Sequence, residues 1–152
     1  MKINIFYNTK LPRALRKTRL FETAILTALG GRAKLGEINL VFVSGGEIHK
    51  INKQFLKHDY ETDVISFGYP SEKTLSGDIF VCVKVAQKNA LLYKQSVLEE
   101  LLTYAVHGTL HLTGMDDATK SQRRAMDKKT AQIIKPLLKT KAVQTRQTAR
   151  RK

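Results

Sequence analysis

The sequence predicts an α+β domain, a small four-stranded sheet packed with about five helices. Two observations carry this. Four short runs, Lys2–Tyr7, Glu37–Val43, Thr62–Phe67 and Gly77–Val83, have the length and apolar, β-branched character of strands. Elsewhere apolar residues recur at spacings of three and four, the period of an amphipathic helix. Strands and helices together make a layered architecture with one core. A chain of 152 residues with 42% hydrophobic content is long enough to bury that core without staples. The domain is expected to span residues 1–138, with a basic, mobile tail over 139–152.

In the first strand Ile3, Ile5 and Tyr7 alternate with Lys2, Asn4 and Phe6. Pro12 stands where a first helical turn begins. Leu15, Leu20, Phe21, Ala24, Ile25, Ala28 and Leu29 then mark a helix that Gly30-Gly31 ends. After the second strand, Ser44 with Glu47 three residues on is a capping box. It opens a short helix to about Leu56 that packs Ile48, Ile51 and Phe55. Tyr69 to Thr74 reads as a loop. From Lys84 to Leu112 the pattern is helical, with a break near Gln95-Ser96. Val97, Leu98, Leu101, Leu102, Ala105 and Val106 form the buried stripe of its second half. Thr119, with Gln122 three later, opens a last helix to about Leu138, its end disturbed by Pro136. Beyond that, apolar residues are too few to fold alone.

The charge balance narrows the partners. Lys and Arg number 27 against 13 Asp and Glu, a net +14. Five basic residues and no acid fall between Lys10 and Arg19, and six basic residues and no acid between Leu137 and Lys152. Such a field attracts polyanions, and nucleic acid is favoured over an anionic membrane because the tail lacks bulky apolar residues after Leu138. No uncharged apolar run reaches the length of a membrane span, and the first residues are too polar for a signal peptide. A single cysteine, Cys82, excludes an internal disulfide and suits a reducing compartment; it lies in an apolar run and is expected in the core. These features point to the cytoplasm.

The chemistry is concentrated in His107-Gly108-Thr109-Leu110-His111-Leu112-Thr113-Gly114-Met115-Asp116-Asp117. The two histidines, four apart, share a helix face and can reach one point. Gly114 can take the left-handed conformation that ends a helix, and the chain's return brings Asp116 or Asp117 towards the rings. Two imidazoles and a carboxylate with an open fourth position suit a catalytic zinc ion. Metalloproteases of the H-E-x-x-H type carry a glutamate base after the first histidine. Here that residue is Gly108, which can neither take nor give a proton, so peptide hydrolysis by that route is disfavoured. Glu100 lies about 10 Å up the helix from His107 and reads as structural. His58 reads as a surface or turn residue, His49 has no evident partner, and Ser66 is expected to contact backbone rather than act as a nucleophile. Asp63 and Asp78 are expected to hydrogen-bond loops.

The stretch resembles the H-G-x-L-H-L-x-G-Y-D-H signature of the YbeY family, bacterial metal-dependent endoribonucleases of rRNA maturation. Two further blocks are similar to that family's. One runs from Asn52 to Phe67 and contains Thr62-Asp63-Val64-Ile65-Ser66-Phe67; the other is Ser76-Gly77-Asp78-Ile79-Phe80-Val81. The resemblance covers about residues 38–117. It implies a four-stranded sheet with surrounding helices, a metal site at the end of a long central helix, and a cleft bordered by the Thr62–Phe67 strand. The chain departs from the pattern at Met115, at Leu56, where some members have an arginine implicated in cleavage, and at Asp117, where the family has its third histidine ligand.

The expected metal ligands are therefore His107, His111 and Asp117, the last by its offset of six from His111. One zinc ion is expected, and the added carboxylate also admits manganese. Asp116 is assigned to the turn. Lys53 and Lys57 are the candidate RNA contacts, as point charges near the scissile phosphate. No catalytic acid or base is assigned. The activity expected is metal-assisted hydrolysis of single-stranded RNA, acting on rRNA and ribosomal particles in ribosome maturation and quality control. A second reading is a basic, non-catalytic ribosome-assembly factor with a weak or structural metal site.

Overall fold

A computed structural model describes residues 1–32, 36–69 and 74–150, with Arg32 and residues 140–150 described by backbone alone. Four strands, β1 (Lys2–Tyr7), β2 (Glu37–Val43), β3 (Val64–Tyr69) and β4 (Ser76–Cys82), form one sheet in the order β1-β2-β4-β3. The pairs β1–β2 and β2–β4 are parallel, and β3 runs antiparallel to β4 along one edge. Five α-helices accompany them: α1 (Thr18–Leu29), α2 (Gly45–Leu56), α3 (Val83–Tyr93), α4 (Val97–Leu112) and α5 (Lys120–Arg150). This is the expected α+β architecture.

Strand alternation divides the core in two. Ile3, Ile5, Ile38, Leu40, Phe42, Ile79 and Val81 point to the face packed with α1, α4 and α5. Val41, Val43, Ile65, Phe67, Phe80 and Cys82 point to the opposite face, where α2 lays Ile48 and Ile51 on them. Because α2 is short, it covers only part of that face. Asn4, Asn39, Asp78 and Tyr69 lie on the remainder. There Asn4 Nδ2 donates to Asn39 Oδ1 (2.9 Å), Asn39 Nδ2 to Asp78 Oδ1 (2.9 Å), and the Tyr69 hydroxyl to Asp78 Oδ2, so side chains tie all four strands together.

Several boundaries differ from expectation. The first helix does not run from Pro12: a 3-10 turn at Arg13–Leu15 comes first, and α1 starts at Thr18. The buried Leu11 offers its carbonyl to Arg16 Nε (3.0 Å), closing a small loop that the helix must clear. Strand β3 begins two residues late because Asp63 Oδ1 takes the Val64 N–H (2.8 Å) and bends the entry. Helix α3 follows β4 with no loop, starting at Val83. The break near Gln95-Ser96 is present, with Lys94 left-handed and Ser96 capping α4 through the Glu99 N–H.

Both N-terminal caps form, the second as a full capping box. Ser44 Oγ accepts from the Glu47 N–H, and Thr119 and Gln122 bond reciprocally. Helix α5 continues past the expected stop near Leu138, through Pro136, to Arg150. The backbone there is thus helical where a structureless tail is expected; lysine, arginine, glutamine and alanine are good helix formers, and neither glycine nor a second proline interrupts them. Of the loop expected over Tyr69–Thr74, Tyr69 belongs instead to β3, where it pairs with Ser76; residues 70–73, the tail side chains from 140 and residues 151–152 lie outside what is described. Phe55, expected in the core, is 60% exposed, since α2 ends beyond the edge of the apolar face it covers.

Candidate metal centre

Helix α4 runs through the centre of the core, and both histidines ride on its last turns. Its buried residues include Leu101, Leu102, Ala105, Val106 and Leu110, so the stripe read from sequence is the face laid on the sheet. Gly108 sits within that contact. A Cβ there would lie 2.5 Å from Ile79 Cγ2, 2.9 Å from Ser66 Oγ and 3.2 Å from Val64 Cγ2. The helix approaches β3 and β4 so closely that only glycine fits. Ser66 Oγ donates to the Gly108 carbonyl (2.9 Å), which is the backbone contact expected of it. These contacts fix the height and rotation of the turn that bears the histidines.

After Leu112 the helix ends as the glycine predicts. Gly114 has φ +100°, and its N–H bonds the His111 carbonyl (3.0 Å), turning the chain back towards the helix. That return sets Asp117 Oδ2 at 3.4 Å from His111 Nε2. One turn earlier, His107 Nε2 lies 3.7 Å from Asp127 Oδ1 of α5. The structure therefore brings Asp117 to one histidine and an unexpected aspartate to the other. Among the described residues no three His, Cys, Asp or Glu side chains converge closely enough to hold an ion as they stand. Each ring nitrogen faces its own carboxylate.

The donor chemistry nevertheless fits a metal. The His107 Nε2 atom is shielded from solvent and has no hydrogen-bond partner, a costly condition for a ring nitrogen. Burial pushes the His107 pKa below the ordinary histidine value, partly opposed by Asp127 and Asp63, which favours the neutral ring that a cation requires. Two imidazoles flanked by two carboxylates match zinc or manganese. His107, Asp127, Glu99, Thr103, Thr130 and Lys135 also line a cleft of about 210 Å³ between α4 and α5. Asp127 escaped the sequence reading because nothing local marks it. Its signal was the period of α5: Met126, Thr130 and Ile134 are buried, so 127 borders the face turned to α4.

The remaining candidates fall elsewhere. Lys53 and Lys57 belong to α2 and its left-handed cap, across the sheet from α4, and no described contact joins them to the histidines. His49 does have a partner, Asp59 Oδ1 at 2.5 Å, which with nearby Lys53 holds that carboxyl below its usual pKa. His58 stacks on Tyr60 and bonds its hydroxyl, the turn role expected. Glu100 is buried beside Tyr104, consistent with a structural residue. Asp63 hydrogen-bonds locally, but Asp78 lies on the sheet face away from α4.

The family model described as endoribonuclease YbeY matches residues 8–138. The chain belongs to the endoribonuclease YbeY family. An endoribonuclease YbeY of Elusimicrobium minutum is 61% identical over 140 residues, covering 88% of this chain and 98% of that protein. Another from Chlorobaculum tepidum is 36% identical over 126 residues, covering 83% and 90%. The solution structure of TM1509 from Thermotoga maritima superposes with a TM-score of 0.60 at 26% identity, covering 91% of this chain and 93% of that one. The YbeY match takes in every strand but β1 and the whole His107–Asp117 segment, so the fold and the histidine pair come as one unit.

Proposed function

We propose that the protein is a metal-dependent endoribonuclease that cuts single-stranded stretches of rRNA during ribosome maturation in the cytoplasm. The endoribonuclease activity comes with family membership. The finer reading rests on one observation above others: the shielded, unpartnered His107 Nε2 one turn from His111, whose own Nε2 faces Asp117. His107, His111 and Asp117 would hold one zinc or manganese ion. A bound ion supplies Lewis acidity to the scissile phosphate and a water acidic enough to ionise near neutral pH.

The chain's own residues supply the rest. Gly108 and Ser66 hold the ligand-bearing turn against the sheet. Asp127, whose Oδ1 lies 3.7 Å from the same His107 Nε2, adds a negative charge beside the place an ion would take. The net +14 charge draws RNA to the surface, with Lys53, Lys57 and the basic segment 139–152 as contacts. No described helix is long and apolar enough to cross a membrane. Ribosomal particles, rich in exposed RNA, are the proposed physiological target.

The ligand assignment is tested at Asp117. Asp117→Asn keeps the shape and removes the charge, and metal affinity should fall at least about 10–100-fold, the range seen when supporting carboxylates are lost. Asp117→His should tighten zinc and lower the pH optimum for cleavage, because a neutral ligand leaves the ion a stronger Lewis acid. Competition with a chromogenic chelator reads the first, and a pH–rate profile the second. Unchanged affinity in Asp117→Asn would move the third ligand elsewhere.

The second reading, a non-catalytic assembly factor, draws support from Leu56, which stands 44% exposed at the position where the family resemblance implies an arginine in some members. A cleavage assay on structured RNA with and without chelator separates the two readings. Bound metal without chelator-sensitive cleavage would favour the assembly factor.

The tail contribution is tested by removing residues 139–152, which deletes six basic groups. Binding to single-stranded RNA should weaken, and the slope of log affinity against log salt should flatten by up to about 0.7 for each phosphate that the shortened chain leaves unneutralised. An unchanged slope in anisotropy titrations would show that the tail neutralises none.

A further inference from the structure

Asp127 is the one acid of α5, a helix otherwise rich in lysine and arginine. Arg123 and Arg124 stand one turn before it and Lys128 and Lys129 directly after it. Its carboxylate nevertheless forms no ion pair with any of them among the described residues; its one such neighbour is the His107 ring on α4.

That pairing is unsatisfied as it stands. At 3.7 Å, His107 Nε2 and Asp127 Oδ1 are too far apart for a hydrogen bond, which spans about 2.7–3.2 Å. A proton on Nε2 therefore finds no acceptor, in keeping with that atom's lack of any partner. A bare Nε2 instead faces a group that can only accept. A cation between them satisfies both. The spacing also suits two ligands of one ion. Atoms held at about 2.0–2.2 Å around a tetrahedral zinc lie roughly 3.3–3.6 Å apart. The His111–Asp117 pair stands at 3.4 Å and the His107–Asp127 pair at 3.7 Å, both close to that length.

We propose that Asp127 is a further ligand of the ion held by His107 and His111, so that the bound metal joins α5 to α4. The proposal rests on the reading of those two histidines as ligands and adds a residue from a different helix. Among the described residues the groups do not close on one point as they stand. The Asp127 side chain is 72% exposed, so it can turn towards the ring without disturbing the core. The buried Met126, Thr130 and Ile134 hold the α5 backbone in place meanwhile. The cleft of about 210 Å³ between the two helices, lined by both His107 and Asp127, gives an ion its way in. Two carboxylates beside two imidazoles make a harder ligand set than histidines alone, and removing Asp127 should move the preference from manganese towards zinc.

The test is metal binding by the full-length protein. Asp127→Ala should lower zinc affinity at least about tenfold in chelator competition, and manganese affinity by more. A carboxylate acting only through its charge would also weaken binding, so ligation is read with cobalt(II). Asp127→Ala should shift the visible cobalt bands. Asp127→Cys should show a near-ultraviolet sulfur-to-cobalt charge-transfer band that wild type lacks, since Cys82 is buried in the other core cluster. Metal should also slow amide exchange of α5 around position 127 in wild type more than in Asp127→Ala. Unchanged cobalt bands in Asp127→Ala, no sulfur band in Asp127→Cys, or equal slowing of exchange would each overturn this ligand while leaving His107 and His111 in place. Wild-type protein that takes up no cobalt, zinc or manganese would overturn the metal centre itself.

Discussion

His111→Ala and His107→Ala should each abolish both metal binding and RNA cleavage while leaving the fold in place. The expected loss in metal affinity is at least about 100-fold, since even supporting groups around a metal cost up to that much. Neither ring belongs to the apolar face of α4, which is held by Leu101, Leu102, Ala105, Val106 and Leu110. Their removal therefore takes little from the core. His107→Ala also removes the unpartnered buried Nε2, so the metal-free variant should be no less stable than metal-free wild type. Elemental analysis, far-ultraviolet circular dichroism and a cleavage assay on one preparation check all three outcomes. A fully metallated, active His111→Ala protein would exclude it as a ligand.

Gly108→Glu, which would install the glutamate of the H-E-x-x-H pattern, should instead unfold the protein or leave it barely stable. The first carbon added meets Ile79, Ser66 and Val64 at 2.5–3.2 Å, and Ile79 is fully buried with no room to retreat. Overpacking and a carboxylate forced into an apolar contact together cost on the order of 5 kcal/mol. That is comparable to the whole stability of a small domain. Gly108→Ala should cost less, about 1–3 kcal/mol from overpacking, partly offset by the ~1 kcal/mol helix propensity of alanine. Urea midpoints for the three proteins give the order directly. A Gly108→Glu variant with the wild-type midpoint would mean that α4 does not sit this close to the sheet.

The glycine illustrates how differently sequence and structure speak about one residue. In sequence Gly108 says only what the site lacks, a proton-transfer group. Its position between β3 and β4 gives it a second role, as the point of closest approach that aims the histidines. No local pattern carries that information, because it depends on residues 29 and 42 positions earlier in the chain, Ile79 and Ser66.

The helices, their caps, the four strands and the histidine pair were legible because each rests on contacts within a few residues. Period, capping geometry and the freedom of glycine act locally. The same locality made Asp117 visible, six residues from His111 across a turn. It also explains the errors: the bend at Asp63 and the loop closed by Arg16 on Leu11 depend on specific side-chain bonds rather than on pattern. The period of α5 sets Asp127 beside its buried face, but its meeting with His107 depends on how α5 lies across α4.

By itself, then, the sequence determined the α+β class, the amphipathic faces, the basic surface and the pair of imidazoles on one helix side. Only the tertiary structure decided which carboxylate each imidazole faces, that Lys53 and Lys57 lie across the sheet from them, and that aromatic rings stand open where α2 runs out. The physical reason is the range of the interactions. Periodicity fixes which way a side chain leaves its own element, whereas the partner it meets is set by packing between elements far apart in the chain.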